Sequence, residues 1–63
     1  MKLPENAIML MSYVNTQLRD NYDSFDALCD DMEYDKDMIL SKLEDAGFIY
    51  NEGLNKFMPK DLR

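Results

Sequence analysis

The fold is decided by residues 24–47, SFDALCDDMEYDKDMILSKLEDAG, in which an acidic turn joins two short amphipathic segments. Ser24 is a favourable N-cap, and Asp26 places a negative charge in the first turn, where the helix dipole stabilises it. These features predict a short helix from about Phe25 to Met32. Its apolar side carries Phe25, Leu28, Cys29 and Met32.

A second helix is predicted to begin after Asp35, another N-cap residue, and to end at Gly47, the residue type expected just past a C-terminus. Helical spacing turns four apolar residues inward: Ile39, Leu40, Leu43 and Ala46. The residues left outside are Asp37, Met38, Ser41, Glu44 and Asp45, with Lys42 at one margin. The outer face of this helix is therefore acidic.

Working outward, residues 4–21 predict the longest helix, with Pro4 in its first turn. An apolar stripe roughly 120° wide is made by Ala7, Leu10, Met11, Val14, Leu18 and Tyr22. Met9 and Tyr13 lie four residues apart outside that stripe, so we expect both side chains to be exposed.

On the other side, residues 48–58 change to aromatic and β-branched residues around a turn at Asn51, which predicts a β-hairpin. The register stays open, because a two-residue loop pairs Asn51 with Leu54 and a four-residue loop pairs it with Lys56. Both registers put three aromatic residues on one face, where they should close the core: Phe48, Tyr50 and Phe57.

These elements predict a mainly α protein: a three-helix helix-turn-helix core with a C-terminal β-hairpin, the outline of a small winged helix. We expect one domain over residues 1–58 and a loose tail over residues 59–63, since Pro59 should end the second strand. Residues 24–47 resemble the helix-turn-helix pattern, with Glu33 where many members have glycine and Cys29 where alanine is common.

The charge balance bears on DNA binding, which the outline first suggests. The sequence contains thirteen acidic and seven basic residues, for a net charge of −6. From Asp20 to Asp45 only Lys36 and Lys42 are basic. Such a surface repels phosphates, so the sequence disfavours nucleic acid as a partner.

Catalytic and metal sites are not expected. Histidine is absent from the sequence, and Cys29 falls on an apolar helix face. Four acids alternate as in a calcium loop: Asp31, Glu33, Asp35 and Asp37. The glycine and glutamate that an EF-hand loop needs are replaced by Lys36 and Lys42, so a solvated acidic turn is the preferred interpretation. We expect no enzyme activity, no cofactor and no small-molecule ligand.

The lone cysteine and the absence of an apolar leader indicate a cytoplasmic protein. The longest nearly apolar run, residues 7–11, is too short to cross a membrane.

Five residues were singled out for a role. Met9, Tyr13 and Met38 are surplus apolar side chains and form the candidate interface. Asn15 and Arg19 lie at the margin of the buried stripe as candidate structural polar residues, with Asn15 bonding a loop carbonyl and Arg19 pairing with a carboxylate, for example that of Asp23 or Asp26.

Several segments carry a family resemblance: residues 1–4, residues 14–20 (VNTQLRD), Leu28-Cys29, Lys42-Leu43, Gly47-Phe48, Tyr50 and residues 55–57. Together they resemble a family of short bacterial proteins, domain of unknown function number 4250. The resemblance implies a bacterial cytoplasmic setting and assigns no activity, ligand or functional residue.

The function expected from the sequence is a non-catalytic protein-interaction module that binds a protein partner or itself. Two alternatives remain open. One is a DNA-associated regulator of winged-helix type using Lys56, Lys60 and Arg63, and the other is an acidic decoy for a basic nucleic-acid-binding partner.

Overall fold

The computed structural model describes residues 3–62; Met1, Lys2 and Arg63 lie outside the described residues. The elements in chain order are α1 (Ala7–Asp20), α2 (Phe25–Met32), α3 (Lys36–Asp45), β1 (Phe48–Asn51), β2 (Lys56–Pro59) and a short 3₁₀ helix (Lys60–Leu62). The predicted class is confirmed: three helices are followed by a two-stranded antiparallel hairpin.

The helix starts follow their caps. The Ser24 hydroxyl accepts the N–H of Ala27, and the Asp35 carboxylate accepts the N–H of Met38, so α2 and α3 begin where predicted. The prediction for α1 was wrong by three residues. Asn6 accepts the N–H groups of both Ile8 and Met9, a capping role that Pro4 cannot fill.

The core lies between the three helices and the hairpin. Its buried side chains are Leu10, Val14, Leu18, Phe25, Leu28, Cys29, Ile39, Leu43 and Phe57. Ala46, expected on the inner face of α3, is exposed, because it forms the C-cap where the helix ends. Gly47 then leaves the helix with φ +94°, which glycine adopts without a Cβ clash.

The hairpin resolves the open register. Asn51 pairs with Lys56, so the connection is the four-residue loop over residues 52–55. Tyr50 and Phe57 face each other, and both rings pack on Phe25 with centroids 5.0–5.6 Å apart. Phe48 also packs against the core, so the predicted aromatic face is confirmed.

The chain beyond residue 58 continues in regular structure as far as Leu62, and β2 ends at Pro59. Pro59 is part of β2 opposite Phe48, and the Lys60 N–H donates to the Gly47 carbonyl at 2.9 Å before the 3₁₀ turn. A proline is tolerated there because its missing N–H would point away from β1.

Candidate interaction surface

Met9 and Met38 keep large exposed fractions, 61% and 44% respectively. Met9 lies in the first turn of α1, and Met38 lies in the first turn of α3. Two further apolar side chains that the sequence interpretation did not select are exposed as well, Ile8 by 62% and Leu54 by 59%. Leu54 could have been found from the hairpin loop alone, since a loop residue has no core to face.

Tyr13 does not belong with these exposed residues, so that prediction was wrong. Its ring is half-buried against the core, and its hydroxyl lies 3.0 Å from the Tyr34 hydroxyl. The physical reason is Tyr34, which sits in the turn before α3 and packs on the same side of α1. Burial, and after it the Tyr13 hydrogen bond, raises the pKa of Tyr34 to about 12.

A cleft between the start of α1 and α3 connects these observations. It has a volume of about 350 Å³ and is lined by Leu3, Pro4, Glu5, Leu10, Tyr34, Met38 and Lys42. We call it the α1–α3 cleft. Met9 lies one helical turn before Tyr13, whose hydroxyl meets Tyr34 of the lining. The structure therefore places Met38 in a mainly apolar cleft that Glu5 and Lys42 also line, while Met9 lies outside the lining, on the side of α1 that carries Tyr13.

Asn15 has a structural contact more specific than the sequence predicted. Its amide oxygen accepts the Phe57 N–H at 2.7 Å, and its amide nitrogen donates to the Phe57 carbonyl at 3.0 Å. The partner is thus the backbone of strand β2 and not a loop. One side-chain amide here does what a neighbouring strand would do for the edge of β2.

The carboxylate that Arg19 contacts is not that of Asp23 or Asp26, the two acids suggested as examples from the sequence. Arg19 pairs with its neighbour Asp20 through two hydrogen bonds of 2.9 and 3.1 Å, on a side chain that is 74% exposed. This hydrogen bond lowers the pKa of Asp20 and raises that of Arg19. An exposed pair of this kind contributes little stability.

Asn55 also joins the hairpin to α1 through side-chain hydrogen bonds, which were not predicted from the sequence. Its amide nitrogen donates to the carbonyls of Leu18 and Tyr22 at the end of α1, and its oxygen accepts the Tyr50 hydroxyl at 2.6 Å. The Tyr50 oxygen in turn accepts the Phe25 N–H. A four-residue loop would have pointed to Asn55 in the sequence. Asn55 is the last residue of that loop and adopts a positive φ of +52°, a conformation that asparagine tolerates.

The acids between residues 20 and 45 lie on the surface. All ten between residues 20 and 45 are exposed: Asp20, Asp23, Asp26, Asp30, Asp31, Glu33, Asp35, Asp37, Glu44 and Asp45. A few have local partners. Lys36 contacts Asp26, and the Tyr22 hydroxyl donates to Asp31, which raises the pKa of Tyr22. The expected outward residues of α3 are exposed, so that helix presents carboxylates to its surroundings.

The described residues offer little chemistry of other kinds. Burial raises the pKa of the Cys29 thiol, which keeps it protonated and unreactive at neutral pH. Within residues 3–62 no three side chains of the metal-binding types form a group that could hold an ion. In the same range, none of the helices combines the length and apolar character that a bilayer crossing requires.

These contacts define a small helical domain in which the polar side chains Asn15 and Asn55 hold the hairpin to α1, while apolar side chains and many carboxylates remain exposed. The chain matches the family model described as "Domain of unknown function (DUF4250)" over residues 4–57. Since the match spans most of the sequence, the protein belongs to that family. Comparisons with curated proteins and with solved structures each returned no match.

Proposed function

We propose that this protein is a non-catalytic interaction module of helix-turn-helix type, which binds a protein through the α1–α3 cleft. In this proposal α2, the turn at residues 33–35 and α3 form the helix-turn-helix unit, and the hairpin is a small wing. The single observation that carries the binding claim is the exposure of Met38, which lines the cleft; Met9 is not part of the lining, but it is exposed on α1, one helical turn from Tyr13. Flexible methionine side chains adapt well to a partner surface.

The setting we propose is the bacterial cytoplasm. Cys29 is buried, and a single cysteine cannot form a disulfide within the chain, as proteins of oxidising compartments commonly do.

The test places a photo-reactive amino acid, p-benzoylphenylalanine, at Met9, Met38 or Leu54 in the producing cell. Leu54 is the matched control, because it is as exposed as Met9 and lies in the hairpin loop, which does not line the cleft. We expect a discrete protein adduct from Met9 and Met38 and none from Leu54. Equal adducts from all three positions, or none from the cleft, would refute the proposed site.

Once the partner is identified, Met38→Lys gives a quantitative check. A lysine in the buried centre of an apolar contact should weaken binding at least about tenfold, or 1.4 kcal/mol. Leu54→Lys should leave the affinity unchanged.

A second candidate, the acidic decoy, is favoured by the exposure of all ten carboxylates between residues 20 and 45. The two candidates respond oppositely to salt. A basic partner held by carboxylates should dissociate as ionic strength rises from about 0.05 to 0.5 M, whereas contact through the cleft should hardly respond.

The DNA-associated alternative depends on Lys56 and Lys60, which are exposed, and on Arg63, which lies outside the described residues. The carboxylates on α3 oppose it, because a helix in the major groove would bring them against phosphates. We expect no gel shift with a random-sequence DNA pool even at low salt.

A further inference from the structure

The two outer edges of the hairpin differ. On β2, Asn15 occupies both the N–H and the C=O of Phe57, so α1 covers that edge. Because these groups point away from β1, Tyr50 and Phe57 form a non-hydrogen-bonded pair. The pairing of Phe48 with Pro59 agrees, since proline has no N–H to offer a ladder.

By the same alternation, the backbone N–H and C=O groups of Phe48 and Tyr50 point away from β2. No hydrogen bond from within residues 3–62 reaches them. A short groove of about 430 Å³ lies beside Tyr50, between β1 and the starts of α2 and α3. The edge of β1 is therefore open, and a neighbouring chain has space to approach it.

We infer that β1 pairs with β1 of a second copy of this chain, so that two hairpins join into one four-stranded antiparallel sheet. In this register Phe48 lies opposite Tyr50 of the second copy, and each pair exchanges both of its backbone hydrogen bonds. The two-fold axis passes between the two Ile49 residues. This surface is separate from the α1–α3 cleft, and the inference does not depend on the proposed function.

The features of β1 indicate a second copy of the chain as its pairing partner. The open groups of Phe48 and Tyr50 supply a donor and an acceptor each, and a two-fold axis matches every donor with an acceptor. The strand Phe48–Asn51 contains no charged residue, so the paired strands themselves place no like charges opposite each other. Acids lie beside them, because the groove next to Tyr50 is lined by Asp23, Asp26 and Glu52 as well as Lys36. The strand also lacks the lysine or proline that usually protects an open edge.

The side chains on the other face of the sheet add an apolar contact. Ile49 and Met58 are cross-strand partners on the face turned away from Tyr50 and Phe57, and both are half-buried. In the four-stranded sheet the two Ile49 side chains would lie directly opposite each other, with Met58 of each copy outside them. Burying this row favours association.

The experiment measures amide hydrogen exchange and sedimentation of the full chain between micromolar and millimolar concentrations. We expect a dimer at high concentration, in which exchange at the Phe48 and Tyr50 amides slows at least about tenfold relative to the dilute sample. Because both copies are acidic, added salt should tighten this dimer. Binding of a basic partner shows the opposite salt response.

Two charge variants make the test specific. Ile49→Lys puts two lysines opposite each other at the axis and should weaken the dimer at least about tenfold. Met58→Lys is the control: it adds the same charge to the same face, but about three strand spacings, or 14 Å, separates the two copies of residue 58. Salt screens charges over that distance.

Three results would overturn the inference. The first is a monomer at millimolar concentration, with exchange at Phe48 and Tyr50 independent of concentration. The second is a dimer that survives Ile49→Lys but is lost in a Met9→Lys/Met38→Lys variant, which would put self-association in the cleft. The third is equal weakening by Ile49→Lys and Met58→Lys.

Discussion

Replacing Asn15 tests the main tie between α1 and the hairpin. Asn15→Ala leaves the N–H and the C=O of Phe57 without their partners; Phe57 is buried, but Asn15 is half-buried, so removing its amide gives water some access to these groups. Each unsatisfied group costs about 1–3 kcal/mol when buried, and partial access to water puts the total near the lower end, at about 2–3 kcal/mol. A 63-residue domain has only about 3–9 kcal/mol of stability, so the loss amounts to at least about a fifth of it and could be nearly all.

Urea unfolding followed by circular dichroism gives the measurement. With a slope of about 1 kcal/mol/M for a domain of this size, the midpoint should fall by about 2–3 M. Thr16→Ala is the matched control on the next residue of α1, because the Thr16 hydroxyl only bonds the Ser12 carbonyl within the helix. Its effect should stay within about 0.5 kcal/mol. Equal midpoints for the two variants would refute the role given to Asn15.

Asn15→Asp adds a test through pH. The new carboxylate can still accept the Phe57 N–H, but it faces the Phe57 carbonyl oxygen, and this repulsion raises its pKa in the folded state. A raised folded pKa means that stability is present at low pH and lost as pH rises through that pKa. The variant should therefore be closer to wild type at pH 4 than at pH 7. If the variant loses the same stability at pH 4 and pH 7, the hydrogen bond that the Asn15 amide nitrogen donates to the Phe57 carbonyl does not contribute to stability.

Three further outcomes are expected. Glu33→Gly should stabilise the fold by about 0.5–1 kcal/mol, since Glu33 ends α2 at φ +57°, and a lower urea midpoint would contradict this. Asn55→Gly loses the hydrogen bonds to the end of α1, but glycine adopts φ +52° without strain; Asn55→Ala loses the hydrogen bonds and also strains the backbone. The urea midpoint should therefore be highest for wild type, lower for the glycine variant and lowest for the alanine variant. Identical midpoints for the two variants would exclude the backbone contribution. The pKa of Tyr34, about 12, exceeds the unfolded value of about 10, so stability due to Tyr34 should be intact below pH 10 and lost as pH rises towards 12. Tyr13→Phe should lower that pKa in an NMR titration of the Tyr34 ring carbons, and an unchanged titration would rule out the hydroxyl contact.

The helices of this fold follow local rules, and the sequence therefore predicts them well. Ser24 and Asp35 cap α2 and α3 as expected, because a capping side chain and the N–H that it accepts are only three residues apart. The α1 start was missed because two rules competed, and the Asn6 cap determined the start rather than Pro4. Side-chain parity likewise fixed the aromatic face of the hairpin without knowledge of its register.

Contacts between distant residues were beyond the reach of periodicity. Tyr13 was assigned to the surface by its position on the helix, but Tyr34, 21 residues later, covers it. Asn15 was recognised as a residue that needs a backbone partner, yet nothing local identifies Phe57, 42 residues away. Arg19 pairs with the adjacent acid, Asp20, and not with the more distant examples Asp23 and Asp26.

The bond between Asn15 and Phe57 joins the first helix to the last strand, and this makes the order of synthesis matter. While the chain emerges, α1 is made early but lacks its partner until β2 is complete, and an isolated hairpin or helix of this length is marginal in water. Fragments cut anywhere between the two residues should remain unfolded rather than form half a domain. The family match, over residues 4–57, includes both residues of this contact.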